Sequence, residues 1–346
     1  MSHHRPKDTT LASTFTPTTH AKATPPRPVR KPLPKPLNVL IIGASRGIGE
    51  HIAYAYAHAL STHPSSHLIL AARESSSAEL AAVAQRARAC ARGQDGVKPS
   101  SSTTTTGTTM TITVTTLSVD ITSSPSVACL AASVKDLLTT TSQRGGLDVV
   151  VLNSGYSGPV VLKVHEGNPQ DFQDVFDVNV QGTYLVAHYF IPLLRDHPGG
   201  SSAARTFIVV NSFAACIING HIANTAYCVS KFAQARLVEF LAEQYGGGDG
   251  EQEQEGVLAI AVHPGAVNTE MADKTTPESF RPYLTDDVGL CGAFCVWLSR
   301  ERRMWLSGRL LGATWDVDEF LAKKGKIEEQ DLLKFSYRVG DASNRH

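Results

Sequence analysis

A short apolar run of strand type, Asn38-Val39-Leu40-Ile41-Ile42, turns at once into Gly43-Ala44-Ser45-Arg46-Gly47-Ile48-Gly49, and a helical pattern follows from Arg46 to Leu60. Glycines permit a tight turn and leave the backbone bare of side chains. The strand–helix unit then recurs. His67–Ala71 reads as a second strand and the alanine-rich Ser75–Arg92 as a helix. Met110–Leu117, where threonine alternates with apolar residues, reads as strand three, followed by a helical Ser124–Thr141. Leu147–Leu152, Thr206–Val210 and Val257–Val262 are strands four to six, with long helical patterns at Pro169–Leu194 and Thr225–Tyr245 between them. Strands alternating with helices predict an α/β architecture: a doubly wound parallel sheet with helices on both faces.

The flanks differ from this body. Residues 1–37 hold eight of the 18 prolines and seven Lys/Arg against one acid, Asp8, and are rich in threonine. They contain no hydrophobic run of secretory type. The basic, acid-poor bias resembles a mitochondrial transit peptide, but six prolines between Pro25 and Pro36 would break the amphipathic helix such a peptide needs. A disordered tail is the expectation for 1–37. Two low-complexity insertions are expected at 93–109 and 246–256, and a short C-terminal tail at 336–346. With these set aside, 38–335 reads as one domain. Lys+Arg and Asp+Glu are both 32, so no global charge argues for nucleic acid or an acidic membrane surface. No uncharged run is long enough to span a bilayer. The six cysteines form no CxxC pair, and Cys291 and Cys295 lie in an apolar stretch as core thiols, so no metal site is expected. A reduced, cytoplasmic setting fits this usage, with the mitochondrion as the alternative.

Chemistry is concentrated at Tyr227 and Lys231 in Ala226-Tyr227-Cys228-Val229-Ser230-Lys231. Residues i and i+4 share a helix face. An ammonium beside a phenol favours phenolate and is expected to lower the phenol's pKa. Such a pair can pass a proton to or from a carbonyl oxygen. The glycine loop, opening a helix directly after a strand, can hold phosphates through the helix N-terminus.

The spacing Gly-x3-Gly-x-Gly together with Tyr-x3-Lys resembles the classical short-chain dehydrogenase/reductase family, in particular its filamentous-fungal members. The resemblance runs from about Asn38 to Thr314, and further motifs fall in order along it. Asn153-Ser154-Gly155 follows strand four, Asn179 stands in Asp177-Val178-Asn179-Val180-Gln181-Gly182, Ser212 follows strand five, and His263-Pro264-Gly265-Ala266-Val267-Asn268-Thr269 follows strand six. Departures are Ile42 where a threonine is usual, Ser154 in place of a second asparagine, and a 15-residue interval from Ser212 to Tyr227.

The resemblance implies a Rossmann-type sheet of about seven strands and a hydride transfer between a nicotinamide and the carbonyl or secondary alcohol of a small organic substrate. It implies Tyr227 as general acid or base, Ser212 as the hydrogen-bonding partner of the reacting oxygen, and Lys231 as the group that tunes Tyr227 and binds the nicotinamide ribose. Asn179 would support a water reconnecting Lys231 to solvent. Gly43, Ser45, Arg46, Gly47, Ile48, Gly49, Asn153, Gly155, Pro264, Gly265, Val267 and Thr269 would line the cofactor, and Asp120 would contact its adenine. A homodimer or homotetramer is implied in the same way. Ala72 stands where an acid would bind the ribose 2′-hydroxyl. Arg73 follows it and Arg46 lies inside the glycine loop, and two guanidiniums near that corner suit a 2′-phosphate. NADP(H) is therefore favoured, with NAD(H) the alternative. Two rival readings are a Rossmann protein that senses NADP(H) without turnover, and a sugar-nucleotide epimerase or dehydratase, which would normally carry Gly-x-x-Gly-x-x-Gly and a large C-terminal substrate domain. Around Gly312–Phe320, Trp315 either packs the core edge or flaps over a substrate site, and Asp316 either caps a helix or joins that flap.

Overall fold

The computed structural model describes residues 15–21, 32–93, 111–141, 145–198, 204–220, 223–247, 255–276, 278 and 281–337. Nearly all of the 93–109 insertion, and 248–254 of the second one, lie outside the described residues, as do 338–346 of the C-terminal tail.

Among the described residues, seven strands form one parallel sheet in the order β3-β2-β1-β4-β5-β6-β7. They are β1 (Asn38–Ile42), β2 (His67–Ala72), β3 (Thr113–Ser118), β4 (Val149–Leu152), β5 (Thr206–Val210), β6 (Leu258–His263) and β7 (Leu310–Gly312). The order reverses between β1 and β4, which creates a crevice at the carboxyl ends of those two strands. β1, β2, β4 and β5 are buried at every position, as strands covered on both faces must be. Helices α1 (Gly47–Ala59), α2 (Ser77–Ala91) and α8 (Leu290–Arg300) form one layer. Helices α3 (Ser124–Thr141), α5 (Gly182–Arg195) and α6 (Thr225–Tyr245) form the other.

The long helical pattern over Pro169–Leu194 is two helices. α4 (Pro169–Phe176) starts with Asn168 as its cap, its side chain accepting from Gln170 N, and with Pro169 at its first turn. A π-helical turn, Asp177–Gln181, then joins α4 to α5 and places Asn179 fully inside. The low-complexity insertion after α6 closes on itself at its base, where Val257 N donates to Tyr245 O.

The expectation of an unpacked tail over 1–37 is corrected at two places. The segment 32–37 docks against the end of α1: Leu33 and Leu37 are buried, Leu33 N donates to Ala59 O, and Leu37 N donates to Ser66 Oγ. The segment 15–21 forms a strap along the residues after β7. Thr19 bridges Trp315, His20 N donates to Thr314 O, and Thr18 donates through N and Oγ1 to the Glu319 carboxylate. The Phe15 ring lies 4.9 Å from that of Trp315. Composition failed here because one aromatic residue and a few threonines suffice when their partners stand ready about 300 residues away. Trp315 is itself core, and Asp316 caps α9 (Val317–Ala322) by accepting from Asp318 N and Glu319 N, so the bland alternative for both residues is the one the fold adopts. Cys291 and Cys295 are also core.

Candidate active site

At the switch point the glycine loop is shaped by what its glycines lack. Gly43 has φ +86°, and a Cβ there would sit 2.6 Å from Ser154 N. A Cβ on Gly49 would meet Gly43 O at 2.0 Å, so the first turn of α1 packs directly on the loop backbone. Asn153 locks this from the neighbouring strand, its Nδ2 donating to Gly43 O at 2.9 Å. Gly47 differs: its φ is +57°, and a Cβ there would find only Thr269 Cγ2, at 3.9 Å. The loop is therefore open on the side that looks toward Thr269. Arg46, at the N-cap position of α1, contributes no side-chain cap, so the first-turn N–H groups of a 13-residue helix face that opening. A bare backbone, an uncapped helix N-terminus and an open cradle fit the pyrophosphate of a dinucleotide.

Opposite the glycine loop, β6 ends at His263, and the Pro264-Gly265 turn follows with Gly265 at φ +103°. Asp286 holds this turn, its Oδ2 accepting from Ala266 N at 2.6 Å while its own N donates to Ala266 O. Val267 is buried and bridges Asp286. Thr269 caps α7 (Glu270–Thr275), its Oγ1 accepting from Ala272 N. Arg46 crosses the opening to an exposed ion pair with Glu270 at 3.2 Å. Arg73 is exposed just past β2, beside the buried Ala72. Asp120 serves its own turn, its Oδ1 accepting from Thr122 N and Oγ1.

Between these walls stand the residues named for proton transfer. Ser212 caps the 3₁₀ turn Phe213–Cys216 and hydrogen-bonds the Tyr227 hydroxyl despite the long interval between them. Lys231 is buried beneath, with Nζ 5.7 Å from the Tyr227 ring centre, and donates to Val210 O and Gln234 Oε1, each at 3.0 Å. Gly155 passes close to the same ammonium. Asn179 turns its side chain to the backbone of Tyr156, accepting from N at 2.9 Å and donating to O at 2.7 Å, and also donates to Ser230 Oγ.

The electrostatics correct one expectation. Burial pushes the Tyr227 phenol up to about 12, and the Ser212 hydrogen bond opposes this only in part. Burial also pulls Lys231 down to about 7. Removal from water thus sets both groups, and the Ser212 hydroxyl is the neighbour that lowers the phenol. His263, pulled down to about 4 by burial, is a neutral acceptor for Phe213 N.

Sequence reasoning missed three residues of this site. Asn211 donates to Lys231 O and Gln234 Oε1, Gln234 binds Lys231, and Asp286 holds the Pro-Gly turn. Their signal was faint: a polar residue next to Ser212, a glutamine one turn beyond Lys231, and an acid in a loop. A separate apolar cavity of about 490 Å³ is lined by Pro159, Val161, Phe172, Val175, Ala226 and Val229, among others, and not by Tyr227, Ser212 or Lys231.

Residues 89–279 match the family model for short chain dehydrogenase. The chain is 34% identical to the short chain dehydrogenase pgmD of Aspergillus terreus over 341 residues, 94% of each chain. The chain belongs to the short-chain dehydrogenase family. It is thus an oxidoreductase acting on CH–OH donors and on small molecules. Among solved structures, this short-chain dehydrogenase resembles the Pseudomonas aeruginosa RhlG/NADP active-site complex, with a TM-score of 0.61 and 19% identity over 82% of this chain and 96% of that one. It also resembles a 7α-hydroxysteroid dehydrogenase complexed with NADH and 7-oxo glycochenodeoxycholic acid, with a TM-score of 0.59 and 19% identity over 84% and 96%. These two likenesses bear on the fold. No helix among the described residues is long and apolar enough to cross a membrane.

Proposed function

We propose that this short-chain dehydrogenase interconverts a carbonyl and a secondary alcohol on a small organic substrate, with NADP(H) as cofactor and Tyr227 as general acid or base. The observation that carries the reading is the Ser212–Tyr227 hydrogen bond with Lys231 buried beneath it, facing the glycine loop across the switch-point crevice. When bound, the nicotinamide supplies the hydride acceptor or donor. The residues supply position and proton. A phenol raised by burial keeps its proton at neutral pH and can donate it to a carbonyl oxygen, or accept one from an alcohol in the reverse direction. Ser212 donates to that oxygen and stabilises its developing charge. Gly43, Ser45, Gly47, Ile48 and Gly49 cradle the pyrophosphate, while Asn153, Gly155, Pro264, Gly265, Val267 and Thr269 shape the nicotinamide end. Arg46 and Arg73 favour the 2′-phosphate at the corner where Ala72 replaces an acid.

Steady-state assays of a carbonyl panel and a secondary-alcohol panel, each with both cofactors, test this reading. Turnover with NADPH preferred is expected. Tight cofactor binding without turnover of any carbonyl or alcohol would favour a sensor instead.

A further inference from the structure

Gln234 lies one turn beyond Lys231 on α6 and is fully buried. Its amide is saturated. Oε1 accepts from Lys231 Nζ at 3.0 Å and from Asn211 Nδ2 at 3.1 Å. Nε2 donates to Asn179 O at 3.1 Å and to Thr183 Oγ1 at 2.8 Å. Thr183 Oγ1 in turn donates to Asn179 O at 2.7 Å, so that carbonyl has two donors. The Asn179 side chain is spent on Tyr156 and Ser230. The Gln234 amide thus spans from the Lys231 ammonium to the Asn179 carbonyl of the π-turn.

We infer that Gln234 is a positioning residue of the proton-transfer site: a neutral amide bridge from the Asn179 carbonyl that fixes the Lys231 ammonium beneath Tyr227. The inference rests on the proposed role of Tyr227. A carboxamide has two donors at one end and lone pairs at the other. It can therefore hold an ammonium and a carbonyl at once, and it brings no charge of its own. The groups around Lys231 are otherwise neutral: Tyr227 on the same helix, Val210 O and Asn211 from β5 and its end, Asn179 and Thr183 from the π-turn and α5, and Gly155 from the loop after β4. Burial is the one cause of the low Lys231 pKa, as a neutral bridge requires.

Three variants test this. Gln234→Leu keeps the volume and removes the bridge, and kcat should fall about tenfold or more, the factor associated with a charged-group hydrogen bond. Gln234→Ala removes more packing but leaves a polar hole that a water can fill. It should be more active than Gln234→Leu, whereas a packing role predicts the reverse order. Gln234→Glu places a carboxylate beside Lys231 and should move the Lys231 limb of the kcat–pH profile upward by about one to three units.

A readout independent of turnover is the pH dependence of urea unfolding. Unfolded Lys231 keeps its proton to about 10.5 and the folded one to about 7, so across that window the unfolded state binds more protons and stability rises with pH. Gln234→Glu should delay that rise to higher pH. Should Gln234→Leu fail to fold, the Gln234→Glu profiles decide. A wild-type pH profile in Gln234→Glu, or Gln234→Leu at least as active as Gln234→Ala, overturns the inference. If Tyr227→Phe retains turnover, the reading of the site itself fails, which is a separate outcome.

Discussion

The two walls of the crevice are built by opposite means. The glycine-loop wall works through missing atoms: Gly49 can approach Gly43 O because it has no Cβ, and Gly47 leaves open space above the α1 N-terminus. The wall around Tyr227, catalytic in the proposed function, works through side chains, with Tyr227, Ser212, Lys231, Gln234, Asn211, Asn179 and Thr183 joined by hydrogen bonds in the interior. The first wall is nearly complete within seven consecutive residues, Gly43 to Gly49. The second needs four elements brought together from 179 to 234. Damage to the first should act on cofactor binding and folding, and damage to the second on turnover.

The largest effect expected is at the catalytic wall. Tyr227→Phe should lower kcat by about 10²–10⁴-fold, the range for a general acid–base group, while NADPH affinity by fluorescence titration stays within about twofold. Near-normal kcat in the folded variant would break the division between the walls.

Gly49→Ala is the matching experiment on the other wall. Its Cβ would lie 2.0 Å from a backbone oxygen, which cannot swing aside as a side chain can. Overpacking of this kind costs about 1–3 kcal/mol. A fall in Tm and a loss of cofactor affinity of at least about tenfold are expected, and an unchanged Kd would show that the loop opens freely. The cofactor corner sharpens the comparison. Arg46→Ala with Arg73→Ala should raise the NADPH KM by about tenfold or more and leave NADH nearly unchanged, since charge-assisted contacts to the phosphate are worth about 1.5–3 kcal/mol each. The exposed Arg46–Glu270 pair lost with it is worth at most about 1 kcal/mol. Equal weakening of both cofactors would show that these arginines do not read the phosphate.

The smallest effect expected lies outside both walls. Deleting residues 1–21 removes the strap, including the stacking of Phe15 on Trp315 and the hydrogen bonds to Thr314 and Glu319. Tm should fall by about 5 °C, given the roughly 2–4 °C per kcal/mol usual for a domain of this size. An unchanged Tm on differential scanning calorimetry would return the segment to the unpacked tail that its composition implies.

What the sequence determined by itself is whatever depends on neighbours in the chain. Six strands, the helix that opens at Gly47, the glycine turn and the Tyr227–Lys231 face were legible because strand, turn and helix periodicities are local. β7 was not, since three residues carry no period and take their register from β6 alone. Tertiary structure decided what depends on distance and burial. It brought Ser212 to Tyr227 and laid the strap on Trp315. It also made burial the main influence on the phenol, because the cost of removing a charge from water is a property of the whole enclosure and of no single motif. Gln234 shows the boundary most clearly. In the chain it is one polar residue on a helix; in the fold, its amide satisfies the Lys231 ammonium at one end and the Asn179 carbonyl at the other without adding charge.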